Sequence, residues 1–322
     1  MDIQKSSAAI LSRPGTAFAG LPQMNIPWFE SPFFEELLQE QRLPTQDEAL
    51  VRSYAENGYV VLDPLMDDLG DVSERIIKDL AKPLQGKLRL QDAWKFSENV
   101  KAVAVHPSIL KILQLFYQRD PIPFQTLNFP VGTEQHTHSD TVHFHCVPHR
   151  FMCGVWMALE DIDDASGPLH IYPGSHKLPV WNFHDLGLPS GYEHYEQYEE
   201  GIAQYVRALG LTKKKVLLKK GQILVWAANL LHGGEPILEP GRTRHSQVTH
   251  YYFSDCLYYT PMHSDPYIGK MQLRTITDIR TGAVVPNMYN GKVIESEQAS
   301  SLRPSRAGIA RRVLRRLRRT IA

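Results

Sequence analysis

Hydrophobic and polar positions divide the chain into two regimes. Up to about residue 118 apolar residues recur at helical intervals, whereas from Phe124 onward they fall into short alternating or continuous runs bounded by Gly, Pro and Asp. After a leader, 1–26, without a clear period, "SPFFEELLQEQ" predicts a short amphipathic helix. Thr45 with Glu48 three residues on predicts a capping box, and Gly58 stands where the helix "QDEALVRSYAEN" should end. "YVVLDPL" then predicts a strand, and further helices are expected at 70–82 and at 107–118, where Pro107 takes the first turn. The later runs "FQTLNF", "HSDTVHFH", "FMCGVWMALE", "PLHIYPG", "KVLLKKG", "QILVWAANLLHGG" and "SQVTHYYF" predict strands. Helices first and short strands afterwards make this a mainly β chain with helices (α+β), a barrel or sandwich with a helical layer on one side. The segment 178–212 is aromatic-rich, lacks strand signals and is expected to form a lid on a single domain spanning 27–300.

Composition changes this picture little, but charge does. Hydrophobic residues at 43% and charged residues at 22% are ordinary globular values. Cys146, Cys153 and Cys256 are odd in number and have no CxxC spacing, which argues against a disulfide framework or a thiolate zinc site. With no secretory signal and no apolar run near the ~18 residues a membrane span needs, a cytoplasmic protein is expected. The formal charge is zero, yet Arg303 to Ala322 holds eight arginines and no acid, leaving 27 basic against 35 acidic residues in the body. In this tail, 301–322, Ile309, Val313, Leu317 and Ile321 recur every four positions and would form one stripe of a helix. A solvated or docked helix is the simplest expectation, and peripheral contact with an anionic membrane is the functional alternative. Nucleic acid is not expected as a partner, because no aromatic interleaves the arginines.

Candidate chemistry lies in "EQHTHSDTVHFHCVPH", residues 134–149, which holds five of the chain's fourteen histidines. On a strand, His138 and Asp140 would share a face and could chelate one metal. Two other pairs have this spacing, His194/Glu196 in a polar segment and His263/Asp265 in a Pro-flanked loop; the latter contains the last histidine of the chain. Only His138/Asp140 begins a strand-like run with enough sequence beyond it to return a third ligand, for which His232, after the buried run "GQILVWAANLL", is the candidate. Two histidines and a carboxylate are the ligand set of non-haem Fe(II) oxygenases, and zinc accepts it too. A positioned arginine separates the two, because it can bind the far carboxylate of a keto-acid cosubstrate. "EPGRTRHSQVTHYYF" supplies Arg242 and Arg244 on the parity of Ser246, whose hydroxyl would join them. His136 is expected at a solvent edge, His143 and His145 facing away from the metal, and His170, His176 and His250 in structural roles, with His250 at most bordering the pocket.

The HxD pair, the distant His232 and the arginine opening a strand, together with "VWMALEDID", "GPLHIYPGSHK" and "SYAENGYVVL", resemble the phytanoyl-CoA dioxygenase family of Fe(II)/2-oxoglutarate oxygenases over about residues 50–253. The resemblance implies a double-stranded β-helix (jelly-roll), with Fe(II), 2-oxoglutarate and O2 as cofactor and cosubstrates. His138, Asp140 and His232 match the family's iron-binding triad, and Trp156 matches an aromatic lining the cosubstrate pocket. Of the two arginines, Arg244 fits better, since "RHSQV" reproduces the way that strand begins. Asp140, where halogenases of this iron class carry Gly or Ala, implies a hydroxylase. The expected reaction is hydroxylation of an unactivated carbon in a small-molecule, lipid or sugar-type metabolite, with release of succinate and CO2. A metal-binding jelly-roll without catalysis and a zinc-dependent hydrolase are the alternatives.

Overall fold

The structure is a computed structural model that describes residues 24–65 and 69–294. The proposed leader up to residue 23 and the Arg-rich tail 301–322 lie outside the described residues.

Six α-helices are present among the described residues: α1 (Phe34–Gln41), α2 (Thr45–Asn57), α3 (Leu69–Leu80), α4 (Glu98–Ala104), α5 (Pro107–Tyr117) and α6 (Tyr195–Ala208). Pro107 opens α5, where its missing N–H costs no hydrogen bond. Gly58 closes α2 at φ 75°, and its lack of a side chain is needed twice, because a Cβ there would lie 2.4 Å from Nδ1 of His176. The capping box does not form. The residue before α2 is Pro44, Thr45 is already helical, and Glu48 turns outward to Nε of Arg52 at 2.9 Å.

The strands that carry the site are β1 (Tyr59–Leu62), β2 (Leu90–Gln91), β3 (Pro121–Phe129), β4 (His145–Val147), β5 (Met152–Ala158), β6 (Leu169–Ile171), β7 (Lys214–Val216), β8 (Ile223–Ala227), β9 (His232–Gly234), β10 (Ser246–Phe253) and β11 (Leu257–Tyr259). One antiparallel sheet runs β1-β8-β5-β10-β3-β2; facing it are β7-β6-β9 and the pair β11-β4. Two facing antiparallel sheets with a helical layer outside are the expected jelly-roll.

Both faces of the large sheet are covered, so β5, β8 and β10 are buried along their whole length. Alternation sorts their side chains. Cys153, Val155 and Met157 of β5, with Val225 of β8 and Tyr251 of β10, pack on Val51, Tyr54, Val100, Leu113 and Phe116 of the helices. Trp156, Leu224, Trp226 and Val248 point the other way and meet Ile171, Val216 and Leu218 between the sheets. It is this second interior that opens into the site.

One strand expectation needs correcting. "HSDTVHFH" is not one strand: the Ser139 hydroxyl accepts from the N–H of Thr141, Asp140–Val142 form a 3-10 turn, and pairing resumes only at β4. The physical cause is local, since Ser and Asp satisfy backbone N–H groups from their side chains and so compete with a ladder. Segment 178–212, without strand signals in the sequence, is helical in part. It contains the fourteen-residue α6, whose Tyr198, Ile202 and Val206 pack against Val142, Phe183 and Leu231.

Candidate metal centre

His138 and His232 are brought together by an antiparallel bridge, with each backbone N–H donating to the other's carbonyl at 2.9 and 3.0 Å. The turn at Asp140 then folds its carboxylate back between them. Oδ1 of Asp140 is 3.9 Å from Nε2 of His138 and 3.9 Å from Nε2 of His232, all three side chains are buried, and one ligand atom from each lies within 4.8 Å of the others. The shared face expected from strand alternation is therefore produced by a turn.

The protonation pattern follows from the partners. Nδ1 of His138 donates to the His136 carbonyl at 2.8 Å and Nδ1 of His232 to the Leu230 carbonyl at 2.9 Å. A carbonyl can only accept, so in each ring the lone pair sits on Nε2, pointing at the Asp140 oxygen, which is the tautomer a metal needs. Burial, with His232 next to it, pulls His138 down to about 3 and keeps it a neutral ligand at physiological pH. Burial opposes ionisation of Asp140. Its carboxyl is nevertheless held below the usual carboxylate range by the imidazoles of His232, His250 and His138 and by the indole N–H of Trp226.

Trp226 was not foreseen from the sequence. Its Nε1 donates to Oδ2 of Asp140 at 2.8 Å, which leaves Oδ1 to face the histidines. The indole reaches that far because the residue opposite it on β5 is Gly154, where a Cβ would lie 2.1 Å from Cζ2 of Trp226. A glycine inside an otherwise continuous apolar strand was the available signal, since it marks a close approach. The two glycines after His232 act similarly: a Cβ on Gly233 would come within 2.8 Å of the His170 ring and of the Gln135 carbonyl.

A second feature lies at the start of β10. Arg244 is 2% exposed, donates from Nη1 to the Gly167 carbonyl at 2.6 Å and stands 5.5 Å from the Trp156 ring, but its buried Nε has no hydrogen-bond partner. The buried hydroxyl of Ser246, two residues on, is unpartnered as well. Burial draws the guanidinium down to about 10, so it stays charged at neutral pH. Leaving such groups unpaired costs about 1–3 kcal/mol each, and an incoming carboxylate would remove that cost. The orphaned atoms and the lone pairs of the triad fit a metal together with a keto acid.

Arg242 is not part of this arrangement. It lies in the turn before β10, beyond the reach of strand alternation, and pairs with Asp163 at 2.5 Å and Glu239 at 3.2 Å. His143 needs the opposite correction. Because of the 3-10 turn it stays near the triad, its ring 6.2 Å from that of His138, and its Nε2 is 3.0 Å from the Tyr195 hydroxyl of α6. His250 borders the site, with Nε2 3.9 Å from Oδ2 of Asp140 and Nδ1 3.1 Å from Oε1 of Gln125. His136 is exposed, His145 faces Tyr259, and the pairs His194/Glu196 and His263/Asp265 form no ligand cluster among the described residues.

Comparison with known proteins agrees with this geometry. The sequence model of the phytanoyl-CoA dioxygenase (PhyH) family matches residues 67–246. The chain belongs to that family. The peroxisomal phytanoyl-CoA dioxygenase of Rattus norvegicus is 26% identical over 242 residues, covering 64% of this chain and 68% of the rat protein. Among solved structures, the epimerase SnoN from nogalamycin biosynthesis, in complex with Fe3+, alpha ketoglutarate and nogalamycin RO, matches at 18% identity. It covers 80% of this chain and 98% of that one, with a TM-score of 0.53. EctD from S. alaskensis, with 2-oxoglutarate and 5-hydroxyectoine, matches at 17% identity, covering 66% and 76%, with a TM-score of 0.52. At such identities the two structures speak for the fold: a family member with this fold has its buried His-Asp-His cluster and its buried arginine on the inner face of one jelly-roll.

Proposed function

We propose that this chain is an Fe(II)- and 2-oxoglutarate-dependent oxygenase that hydroxylates an unactivated carbon of a small molecule. The observation that carries the proposal is the convergence of two imidazole lone pairs and one carboxylate oxygen in a buried site whose Asp140 is held from behind by Trp226. His138, Asp140 and His232 would hold the iron, as SnoN is described with Fe3+ and alpha ketoglutarate. When bound, the metal and cosubstrate supply oxidative decarboxylation by O2, with succinate and CO2 released and one oxygen atom delivered to substrate.

The chain's own residues supply position and charge. Asp140 offsets part of the metal's charge, and Trp226 fixes which of its oxygens is free to bind. Arg244 and Ser246 would take the far carboxylate of 2-oxoglutarate through Nε and Oγ, with Trp156 packed beneath the guanidinium. α6 closes one side through Tyr195, which is why we take 178–212 as the cover that keeps water from the reacting centre. An aspartate at this position keeps the ligand set complete and favours hydroxylation over halogenation. EctD, described with 5-hydroxyectoine, is the relevant precedent; SnoN, an epimerase, marks the other outcome that this fold carries.

Anaerobic titration tests the proposal. Adding Fe(II) and then 2-oxoglutarate should produce a weak visible charge-transfer band; a zinc hydrolase or a non-catalytic jelly-roll would give none. Asp140→Ala should lose the band, bound iron and succinate formation together, while Glu196→Ala and Asp265→Ala keep all three. Wild-type iron binding in the Asp140 variant would refute the triad.

We also propose that the tail 303–322 brings the enzyme to an anionic membrane surface. No helix among the described residues is long and apolar enough to cross one.

A further inference from the structure

Two arginines near the triad bury an Nε that has no hydrogen-bond partner, Arg244 and Arg274. The first is accounted for by the cosubstrate. The second is not.

Arg274 follows β11, and its backbone is fixed at both ends of the residue: its N–H donates to the Tyr258 carbonyl at 2.8 Å, and its carbonyl accepts from Nδ2 of Asn287 at 3.1 Å. From there the side chain runs along two aromatic rings, with Cζ 4.9 Å from the Phe144 centroid and 5.8 Å from that of Phe124. The Phe144 ring is 4.8 Å from the His250 ring, whose Nε2 is 3.9 Å from Oδ2 of Asp140. One aromatic layer thus separates the guanidinium from the triad, and its charge reaches His143 and His250.

What the guanidinium lacks is an acid. Its Nη1 donates to the Thr260 hydroxyl at 3.0 Å, and no carboxylate pairs with it among the described residues. Arg52, Arg150, Arg242 and Arg280, by contrast, all meet carboxylates. Asp92, whose charge also acts on His250, is already engaged by the N–H groups of Trp94 and Thr126 and by Lys95. The residue as a whole is partly exposed, but its buried Nε is left without a partner, a cost that stacking on the aromatic faces does not meet and that an incoming anion would remove. His143, Phe144 and Arg274 are each partly exposed, so all three can be reached from solvent.

We propose that Arg274 binds an anionic group of the substrate, a carboxylate or a phosphate, while an apolar portion lies along Phe144 toward the triad. Resting on the oxygenase reading, this narrows the substrate to a small organic acid or phosphate ester whose charged end is held one ring away from the carbon that reacts. A guanidinium suits such a group because it can bind two oxygens at once and fix its orientation.

The test is calorimetric titration of the anaerobic protein, loaded with Fe(II) and saturating 2-oxoglutarate so that Arg244 is already occupied. Three matched pairs serve as probes: hexanoate and hexanamide, benzoate and benzamide, phenyl phosphate and phenol. Wild type should bind at least one anion about tenfold more tightly than its neutral partner. Arg274→Gln should lose that preference and Arg274→Lys keep part of it, with affinity for 2-oxoglutarate unchanged in both. The carboxylate and phosphate arms decide which anion is meant. The circular dichroism spectrum of Arg274→Gln should match that of wild type, so that the lost preference is not the result of unfolding. Equal binding of charged and neutral partners by wild type, or a preference that survives in Arg274→Gln, would each overturn the proposal. Loss of 2-oxoglutarate binding by wild type would instead sink the oxygenase reading on which it rests.

Discussion

Truncating Arg244 to Ala should raise the 2-oxoglutarate dissociation constant by about 10- to 100-fold, the loss expected for one or two charge-assisted hydrogen bonds in a buried site. Arg242→Ala should change it by less than about twofold, because that side chain is spent on Asp163 and Glu239 at the surface. Anaerobic titration of both variants checks the ranking, and the reverse order would show that the cosubstrate enters elsewhere. Trp226 is tested through the metal: Trp226→Phe keeps an aromatic ring but removes the donor to Asp140, so iron affinity should fall about tenfold. Unchanged affinity would mean that the carboxylate is oriented without it. At this scale the ligands themselves were legible, because His138, Asp140 and His232 are chemically distinctive and separated by a readable gap. Trp226 and Arg274 were not, because an indole or a guanidinium in a β-rich chain has many ordinary uses.

Elements impose their own conditions on the site. The inner face of the large sheet places Trp226 of β8, Gly154 of β5 and His250 of β10 side by side in register, and the indole lies flat across the middle position. Gly154→Ala should therefore cost about 1–3 kcal/mol of stability by overpacking and weaken iron binding through Trp226. Adding Trp226→Phe to Gly154→Ala should recover part of the stability but none of the iron affinity, which denaturant unfolding and metal titration together would show. If the alanine variant unfolds at the wild-type midpoint, the contact is softer than its geometry. Most elements were predictable from period and punctuation, including α5 behind Pro107 and the strands β5, β8 and β10. The turn at Ser139–Val142 escaped because alternation over "HSDTVHFH" suits a strand, whereas the Ser139 side chain caps a 3-10 turn instead. That single substitution of turn for strand moved His143 from the far face to the neighbourhood of the triad.

For the whole molecule, two expectations concern solvent. Burial pulls His145 down to about 3 and His176 to about 4, with no acid partner raising either. The unfolded chain takes up these protons from about pH 6.5 downward while the native state does not, so stability is retained above that pH and lost as pH falls toward 4. Each such group contributes up to about 1.4 kcal/mol per pH unit in that window. Urea unfolding between pH 7.5 and 4.5 should show the decline, and His176→Gln should flatten it; a flat profile in wild type would mean that these rings are protonated in the native state. The second expectation is that the full chain binds anionic vesicles in a salt-sensitive way and that deleting 303–322 abolishes this without affecting 2-oxoglutarate binding. The sequence by itself determined the order of helices before strands, the choice of His138, Asp140 and His232 as the candidate set and the family resemblance, because all of these depend on period, spacing and residue type along the chain. Tertiary structure alone decided which arginine is buried, which oxygen of Asp140 is free, that α6 closes over His143 and that Arg274 lies behind Phe144. Those facts depend on contacts between segments tens to more than a hundred residues apart, and only packing in three dimensions selects among the many partners that each side chain could have had.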